Sequence, residues 1–412
     1  MSRLDQICDL EKRFLLPTYN RYPVGFERGK GVFLYDFEGK KYLDFVAGLG
    51  VNALGHAHPR IVKAIREQAP RAIHLSNLYY NEYQGQLAER LCQLSGPGGA
   101  GTAGGGMDRA FFSNSGTEAM EGAIKLARLA GHKAGGEAKS QLVALQGSYH
   151  GRTFGAMSLT GQEKYRKGFE PLLDDVTFVE QNNVAALDAA VNANTCAIVL
   201  EPIFGEGGIL ECSEEFLLAC RTAADHHHAA LIFDEIQCGL GRTGKMFAFQ
   251  SFGVTPDIVT IAKPIAAGLP LGAFLSKEHF ASAISPGQHG TTFGGGPLAC
   301  RVALEYLSII EEEHLLENVV KVGGYLHQQL QDLVDKYAAT RETRGRGLIQ
   351  GLVLDIPARP VVEQALAEGV LFNVTQDNVV RFLPPFLLEE KHVDKGIRVL
   401  KKLLGKKRRK AA

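Results

Sequence analysis

LIFDEIQ at 231–237 and TIAKPIAAGLPLGAF at 260–274 are the two stretches that decide the fold of this chain. The first is an apolar run of the kind that forms a buried strand, and it ends at the carboxylate of Asp234. The second carries Lys263 in a loop of small residues, which leaves room for a bulky ligand close to the backbone. An acid at a rigid strand end and a lysine in an open loop are therefore the first candidates for a site.

A lysine paired with such an acid suits an enzyme that uses pyridoxal 5'-phosphate. The lysine binds the aldehyde of this cofactor covalently, and the acid keeps the pyridine nitrogen protonated. A carboxylate about 4 Å from that nitrogen favours the cation by roughly 4 kcal/mol at an effective dielectric constant near 20. Either residue alone would also fit a solvated turn, but the loop around Lys263 favours a binding site. We predict Lys263 and Asp234 as the catalytic residues.

Composition restricts the other classes of function. At 412 residues the chain exceeds the usual limit of one hydrophobic core, so we expect two domains. Lysine plus arginine and aspartate plus glutamate both number 45, so overall charge favours neither nucleic acid nor an anionic membrane as a partner. The basic tail KKRR at 406–409 is interpreted as a solvated end rather than a nucleic-acid signal.

Cysteine usage and hydropathy predict a cytoplasmic protein. The seven cysteines are scattered and form no CxxC pair, which is typical of reduced thiols in the cytosol. The charged start MSRLDQICDLEKRF lacks the apolar core of a signal peptide, and no apolar run approaches the length of a membrane span.

Seven apolar runs rich in β-branched and aromatic residues alternate with helical patterns or long loops. They lie at 110–114, 142–146, 176–180, 197–201, 230–234, 257–261 and 272–276. This alternation predicts an α/β fold with an open, mostly parallel sheet covered by helices, whose ligands bind beyond the carboxyl ends of the strands. The pattern then predicts one or two long helices over 301–337. A smaller α+β unit with strands at 348–355, 370–374 and 378–383 completes the chain.

The longer block DEIQCGLGRTGK at 234–245 with TPDIVTIAKPIAAGLPLGA at 255–273 resembles the signature of class III pyridoxal phosphate aminotransferases. The similarity extends from about Tyr19 to about Pro385. The stretches 22–59 and 74–82 look most like acetylornithine aminotransferases, with ornithine aminotransferases next.

This resemblance implies a fold-type I transferase. Its large domain, with a mostly parallel seven-stranded sheet, would occupy 53–297, and a smaller α+β domain 298–412. The N-terminal segment 1–52 would join the smaller domain. The resemblance also implies a homodimer whose active sites are shared between subunits.

The stretch SNSGTEAMEG at 113–122 predicts the start of a helix, with Ser115 and Glu118 as a capping box. A helix N-terminus with free backbone N–H groups is an anion site. The resemblance assigns Gly116 and Thr117 to the cofactor phosphate.

Further cofactor contacts follow from the resemblance. Tyr149 would stack on the pyridine ring, and Gln237 would hydrogen-bond to the ring oxygen. Asp234 and Glu235 are both assigned to the cofactor. Thr292, in a loop that would cross to the neighbouring subunit, would bind the phosphate.

The resemblance also supplies the substrate contacts. Arg152 would take a substrate carboxylate, and Glu206 would pair with Arg381. We expect this pair to act as a switch, closed for acetylornithine and opened by glutamate. Thr291, from the neighbouring subunit, and Tyr19 would also lie near the substrate.

The predicted reaction moves the terminal amino group of N2-acetylornithine to 2-oxoglutarate, a step of arginine biosynthesis. Ornithine, succinylornithine and N-succinyl-diaminopimelate aminotransferases remain alternatives, as does an aminomutase or decarboxylase on the same scaffold. A regulator that binds the cofactor without catalysis is the alternative from another class. GLGRTGKM at 239–246 resembles a phosphate loop, but Met246 replaces the Mg²⁺-binding hydroxyl. The adjacent histidines 226–228 lack metal-ligand spacing, so no metal site is predicted.

Overall fold

The computed structural model describes residues 1–96 and 106–405. Most of the glycine-rich segment at 96–106 and the basic tail at 406–409 lie outside the described residues.

The α-helices in chain order are α1 Arg3–Phe14, α2 Ala47–Gly50, α3 Pro59–Gln68, α4 Gln84–Leu94, α5 Gly116–Gly135, α6 Phe154–Ser158, α7 Val184–Ala190, α8 Glu214–His226, α9 Glu278–Ala281, α10 Pro297–Glu312, α11 Leu315–Lys336, α12 Ala358–Ala367 and α13 Glu390–Leu403. The strands are β1 Phe26–Lys30, β2 Phe33–Asp36, β3 Lys41–Asp44, β4 Arg109–Ser113, β5 Gln141–Leu145, β6 Val176–Val179, β7 Thr195–Leu200, β8 Ile203–Phe204, β9 Leu210–Glu211, β10 Ala230–Asp234, β11 Ile258–Ile261, β12 Gly272–Ser276, β13 Thr340–Arg346, β14 Ile349–Leu354, β15 Val370–Leu371, β16 Asn373–Thr375 and β17 Val379–Phe382.

A seven-stranded sheet forms the centre of the molecule, with strand order β4-β12-β11-β10-β7-β5-β6. Strand β12 runs antiparallel to both of its neighbours, and the remaining pairs are parallel. All seven predicted runs form strands of this sheet, so the predicted α/β class with a mostly parallel sheet is confirmed. Parallel strands β7 and β10 are buried along their whole length because helices cover both faces of the sheet.

Side chains of β10 alternate between two hydrophobic layers. Ala230 and Ile232 pack in the layer that includes α5, whereas Leu231 and Phe233 pack in the larger layer on the other face. Asp234 follows at the carboxyl end of the strand. The period of two along a strand gives it the same side as Ile232, towards the start of α5.

The region predicted as one or two long helices forms two, α10 and α11. Pro297 begins the first, where its missing N–H costs nothing. The break comes at His314, whose φ of 51° is left-handed and cannot continue an α-helix. The two helices therefore pack against each other as a hairpin.

The last part of the chain forms the predicted smaller α+β unit. Strands β13-β14-β17-β16 make an antiparallel sheet, and α11 packs against β13 while α12 packs against α13. Strand β15 leaves this unit to pair in parallel with β3 in the sheet β1-β2-β3-β15. The N-terminal strands are thereby hydrogen-bonded to the C-terminal unit.

Among the residues that the structure describes, no helix combines the length and the apolar character needed to cross a membrane.

Candidate active site

A cavity of about 390 Å³ opens at the carboxyl ends of β7 and β10, beside the first turn of α5. This is the position where open α/β sheets bind ligands. Of the residues predicted for the site, those that line the cavity are Gly116, Thr117, Tyr149, Arg152, Glu206, Asp234, Gln237 and Lys263. Arg381 contacts two of these residues through its guanidinium.

The carboxylate of Asp234 is buried and held by three contacts. Its Oδ2 lies 2.8 Å from His150 Nδ1. Its Oδ1 accepts hydrogen bonds from Ile236 N at 3.1 Å and from Thr260 Oγ1 at 3.4 Å. An ionised carboxylate only accepts, so His150 Nδ1 carries the proton of this contact. The three contacts fix the direction in which the Asp234 carboxylate points.

His150 is a site residue that the sequence analysis missed. Its ring is buried, and Nε2 has no hydrogen-bond partner among the residues that the structure describes. The available signal was its place beside Tyr149, at the end of a predicted strand. Its contact with Asp234 orients the carboxylate, in the same way that hydrogen-bonded groups behind a metal ligand orient that ligand.

The amino group of Lys263 faces the cavity without a bound partner. No acceptor for Lys263 Nζ is found within residues 1–96 and 106–405. Burial lowers the pKa of Lys263, although the charges of Asp234 and Glu206 oppose this shift. A depressed pKa increases the neutral fraction of the amine, which is the form that attacks an aldehyde.

The first turn of α5 points its free N–H groups at the same space. Ser115 caps the helix by accepting from Glu118 N at 3.3 Å. The predicted capping box is half correct, because the Glu118 carboxylate accepts from Asn114 N instead of Ser115 N. A Cβ at Gly116 would lie 2.8 Å from Ile236 Cδ1, so any larger residue there would force the Ile236 side chain to shift. This turn is suited to an anion such as a phosphate.

The Thr117 hydroxyl is engaged by the neighbouring loop. Its Oγ1 accepts from the backbone N–H groups of Arg152 and Thr153, both at 3.1 Å. Gly151 lies just before them with a φ of 140°, and a Cβ there would come within 2.3 Å of Thr117 Oγ1. The loop that presents Arg152 is therefore fastened to the start of α5.

Glu201, at the end of β7, is a second residue that the sequence analysis missed. Its carboxylate accepts from Tyr149 N at 2.8 Å and from Gly205 N at 3.0 Å. Burial raises the pKa of Glu201 to about 7, against the opposing effect of His150. The two hydrogen bonds join the loop of Tyr149 to the loop that carries Glu206. The signal was an acid at a strand end, the same feature that identified Asp234.

Arg152 lies at the exposed mouth of the cavity. Its Nε donates to the Tyr149 hydroxyl at 3.1 Å, and its guanidinium stacks over the Tyr165 ring at 4.4 Å. The two tyrosine rings meet edge to face, with centroids 5.4 Å apart. No carboxylate is paired with Arg152 in the part of the chain that the structure describes. This cation is available to an incoming anion.

The predicted pair of Glu206 and Arg381 is present. Arg381 Nη1 donates to Glu206 Oε1 at 2.7 Å, and the guanidinium is almost completely buried. Burial alone would raise the pKa of Glu206, but the charge of Arg381 outweighs it and holds that pKa below its usual value. The inner end of the cavity thus carries a neutralised cation, in contrast to the free one at its mouth.

Glu235 is a correction to the sequence analysis. Its carboxylate does not line the cavity but accepts from Ala248 N at 2.6 Å and from Phe249 N at 2.7 Å. Burial raises its pKa to about 8. The reason is its position directly after Asp234, which turns its side chain away from the cavity. Glu235 instead holds the backbone at Ala248 and Phe249, where the loop 238–247 ends.

Three other predicted residues lie outside the cavity. Thr291 and Thr292 line separate surface cavities. Tyr19 is 75% exposed and contacts Arg21, whose guanidinium lies 5.7 Å from the ring centroid. No cluster of His, Cys, Asp or Glu able to hold a metal ion occurs among the described residues.

The family model described as "Aminotransferase class-III" matches residues 17–404. The chain belongs to the class III aminotransferases. It is 46% identical over 392 residues to the acetylornithine aminotransferase of Methanocaldococcus jannaschii, covering 95% of this chain and 96% of the relative. It is 45% identical over 397 residues to the protein of the same name from Caldanaerobacter subterraneus subsp. tengcongensis, covering 96% and 98%.

Solved structures give the same result. The crystal structure of the ornithine aminotransferase from Toxoplasma gondii superposes with a TM-score of 0.92 at 29% identity, covering 98% of this chain and 95% of that one. Enzymes of this class use pyridoxal phosphate, and this aminotransferase does the same.

The residues present fit that cofactor. The cavity offers the Lys263 amino group, which has no hydrogen-bond partner among the described residues, and the Asp234 carboxylate. It also offers the free N–H groups of the first turn of α5, where Gly116 lines the cavity. An amine, an acid and an anion site match the aldehyde, the ring nitrogen and the phosphate.

Proposed function

We propose that this aminotransferase moves the terminal amino group of N2-acetylornithine to 2-oxoglutarate, as in arginine biosynthesis. The observation that carries the proposal is the contrast between two cations, a free Arg152 at the mouth and a paired Arg381 deeper in the cavity. The proteins of 46% and 45% identity named as acetylornithine aminotransferases support it.

The assigned roles follow from position and charge. Bound pyridoxal phosphate supplies an electron sink for negative charge at the substrate carbon. Lys263 would hold the cofactor and move the proton at the carbon that bears the amino group. Asp234, oriented by His150, would hold a proton at the ring nitrogen. Tyr149 would stack on the ring, and Gln237 would donate to its oxygen.

Two substrates of different shape use the same cavity in this proposal. Acetylornithine presents a terminal amine and keeps its carboxylate remote, within reach of Arg152. Glutamate brings its α-carboxylate close to the ring, where it needs a second cation. Arg381 supplies that cation when the Glu206 side chain moves away, and Glu206 neutralises it otherwise, because an unpaired buried charge is costly.

The substrate is tested by a screen of amino donors in the first half-reaction. Acetylornithine, succinylornithine, ornithine and N-succinyl-diaminopimelate are each mixed with the cofactor-loaded enzyme, and cofactor absorbance is followed. We expect acetylornithine to give the largest rate over dissociation constant. Preference for unacylated ornithine would favour the second candidate, which the similarity to the Toxoplasma gondii ornithine aminotransferase brings forward.

We also propose that the functional unit is a homodimer. Apolar side chains that stand unusually exposed lie next to the loop of Thr291 and Thr292. They are Leu78, Tyr79, Tyr80 and Phe293. A partner subunit on this face would bury them and bring Thr292 to the partner's phosphate site and Thr291 near its substrate. Sedimentation at high dilution, with and without the cofactor, tests this, and an active monomer would contradict it.

The remaining assignments complete the proposal. The pairing of β15 with β3 supports a smaller domain formed by 298–412 together with 1–52. The large domain would then occupy 53–297. Seven free cysteines support a reducing compartment such as the cytoplasm. Tyr19, exposed in one subunit, would approach the substrate only with the N-terminal segment folded over the site.

A further inference from the structure

The guanidinium of Arg381 is held at its two ends by partners of different kinds. On one edge, Nε and Nη2 donate to a single oxygen, Asn373 Oδ1, at 2.9 and 2.5 Å. On the other side, Nη1 donates to Glu206 Oε1 at 2.7 Å, Gly205 O at 3.0 Å and Gln237 Oε1 at 3.2 Å. In the described part of the chain, Glu206 is thus the one carboxylate bonded to Arg381. The other acceptors of the Arg381 guanidinium are neutral.

Strand pairing fixes the contact between Asn373 and Arg381. The two residues lie directly opposite each other in the antiparallel pair β16 and β17. Opposite residues of such a pair are close neighbours whatever happens elsewhere in the site. Asn373 therefore remains bonded to the guanidinium whether or not the Glu206 side chain is in place.

The same hairpin also holds the backbone of Glu206. Its carbonyl accepts from Thr375 Oγ1 at 2.7 Å and from Gln376 Nε2 at 2.8 Å. The Glu206 side chain is 24% exposed, whereas that of Arg381 is 2% exposed. With its backbone fixed, the Glu206 side chain is the part free to leave, and the guanidinium stays where the hairpin puts it.

The chemistry of the residue at position 373 then decides how much charge Arg381 can offer. A carboxylate there would satisfy the same two N–H groups but would neutralise the guanidinium permanently. An amide oxygen accepts both hydrogen bonds and leaves the positive charge uncancelled. An apolar side chain would leave two buried donors without a partner.

We propose that Asn373 is a positioning residue that aligns Arg381 for a substrate carboxylate while keeping its charge available to one anion at a time. That anion is Glu206 in one half-reaction and the α-carboxylate of glutamate or 2-oxoglutarate in the other. The inference rests on the proposed function, in which Arg381 receives this carboxylate.

Two substitutions separate alignment from charge. Asn373→Asp keeps the shape and the acceptor oxygens but adds a charge, and Asn373→Leu keeps the size but removes the acceptor. Each half-reaction is measured by single turnover of the cofactor-loaded enzyme, with glutamate or acetylornithine as donor. We expect the rate over dissociation constant for glutamate to fall about 100-fold in Asn373→Asp and about tenfold in Asn373→Leu. With acetylornithine, both variants should stay within about threefold of wild type.

A merely structural asparagine predicts the opposite order, because aspartate keeps the hydrogen bonds that leucine loses. Asn373→Asp matching or exceeding Asn373→Leu with glutamate would overturn the proposal, as would equal losses with both donors. If Asn373→Asp does not fold, an unchanged glutamate reaction in Asn373→Leu would overturn it alone. Asn378→Asp is the matched control, since Asn378 lies on the same hairpin but bonds to Leu354 O, away from the cavity.

The outcome is separable from that of the proposed function. A wild-type enzyme that rejects acetylornithine would refute the proposed donor, yet the order of the two variants with glutamate would still test Asn373. Binding of glutarate, an unreactive dicarboxylate, gives a second reading. It should weaken most in Asn373→Asp, and unchanged glutarate affinity in both variants would count against the role.

Discussion

Replacing Glu206 by glutamine removes the carboxylate of the Arg381 pair while keeping the shape of the side chain. In the wild type, the α-carboxylate of glutamate must displace Glu206 before it can bind Arg381. In Glu206→Gln there is no charge to displace, so glutamate and 2-oxoglutarate should bind more favourably. Binding of acetylornithine gains nothing from the substitution, because this donor brings no carboxylate to Arg381. In its complex with the variant, Arg381 has only neutral partners. The preference between the two donors should therefore move towards glutamate.

The size of this change follows from the geometry of the pair. Nη1 and Oε1 are 2.7 Å apart, so the two charged groups are in direct contact with no water between them. Two charges about 4 Å apart attract by roughly 4 kcal/mol at an effective dielectric constant of 20. Glutamine keeps a neutral hydrogen bond worth about 1 kcal/mol, and solvent at the quarter-exposed Glu206 side chain screens a further part. About 2 kcal/mol remains, or about a 30-fold change in the ratio of the two donors.

The assay is single turnover with each donor alone, followed by cofactor absorbance. Glu211→Gln is the control, because the Glu211 side chain is 25% exposed against 24% for Glu206 and also pairs directly with an arginine, Arg346, away from the cavity. The control should leave the ratio of the glutamate rate to the acetylornithine rate unchanged. The same ratio in Glu206→Gln and wild type, or a shift towards acetylornithine, would refute the switch.

Three further outcomes are expected. Lys263→Ala should abolish transamination and the visible absorbance of the bound cofactor, and normal turnover of that variant would exclude the assignment. Gly151→Ala should weaken cofactor binding at least about tenfold, because it combines backbone strain of about 1–3 kcal/mol with a clash against Thr117. The control is Gly168→Ala, which is also at positive φ but faces open space and should leave binding unchanged. Titration of each variant with the cofactor compares them. Burial raises the pKa of Glu235 from 4.5 to about 8, so the native state binds its proton more tightly than the unfolded state does. The cofactor-free protein should therefore lose stability as pH rises from about 4.5 to about 8, and urea unfolding of Glu235→Gln should show a flatter dependence.

The sequence by itself determined the central sheet and pointed to Lys263 and Asp234 as the proposed catalytic pair. Apolar runs of strand length separated by helical patterns predict an open parallel sheet whatever the later packing, because such strands must be covered on both faces. The carboxyl ends of the strands then mark the ligand edge, which placed Asp234 there. The loop of small residues made Lys263 its partner. These inferences depend only on local periodicity and on a general rule of topology.

The sequence alone could not show which way the side chains of the neighbouring acids Asp234 and Glu235 point. Asp234 and Glu235 are adjacent and alike in chemistry, and the resemblance assigned both to the cofactor. In the structure the first faces the cavity and the second accepts from Ala248 N and Phe249 N. Alternation along a strand says that two neighbours point to opposite sides. Only the packed layers on the two faces decide which side holds the ligand.

Contacts between distant segments were decided by the tertiary structure alone. The sequence shows Glu206 and Arg381 as an acid and a base 175 positions apart, and only a family resemblance joined them. It gave no reason to place His150 against Asp234 or Asn373 against Arg381. Each of these contacts depends on the register between strands and on loops that meet at one edge of a sheet. Register is set by burial of whole faces, so no single stretch of the chain contains it.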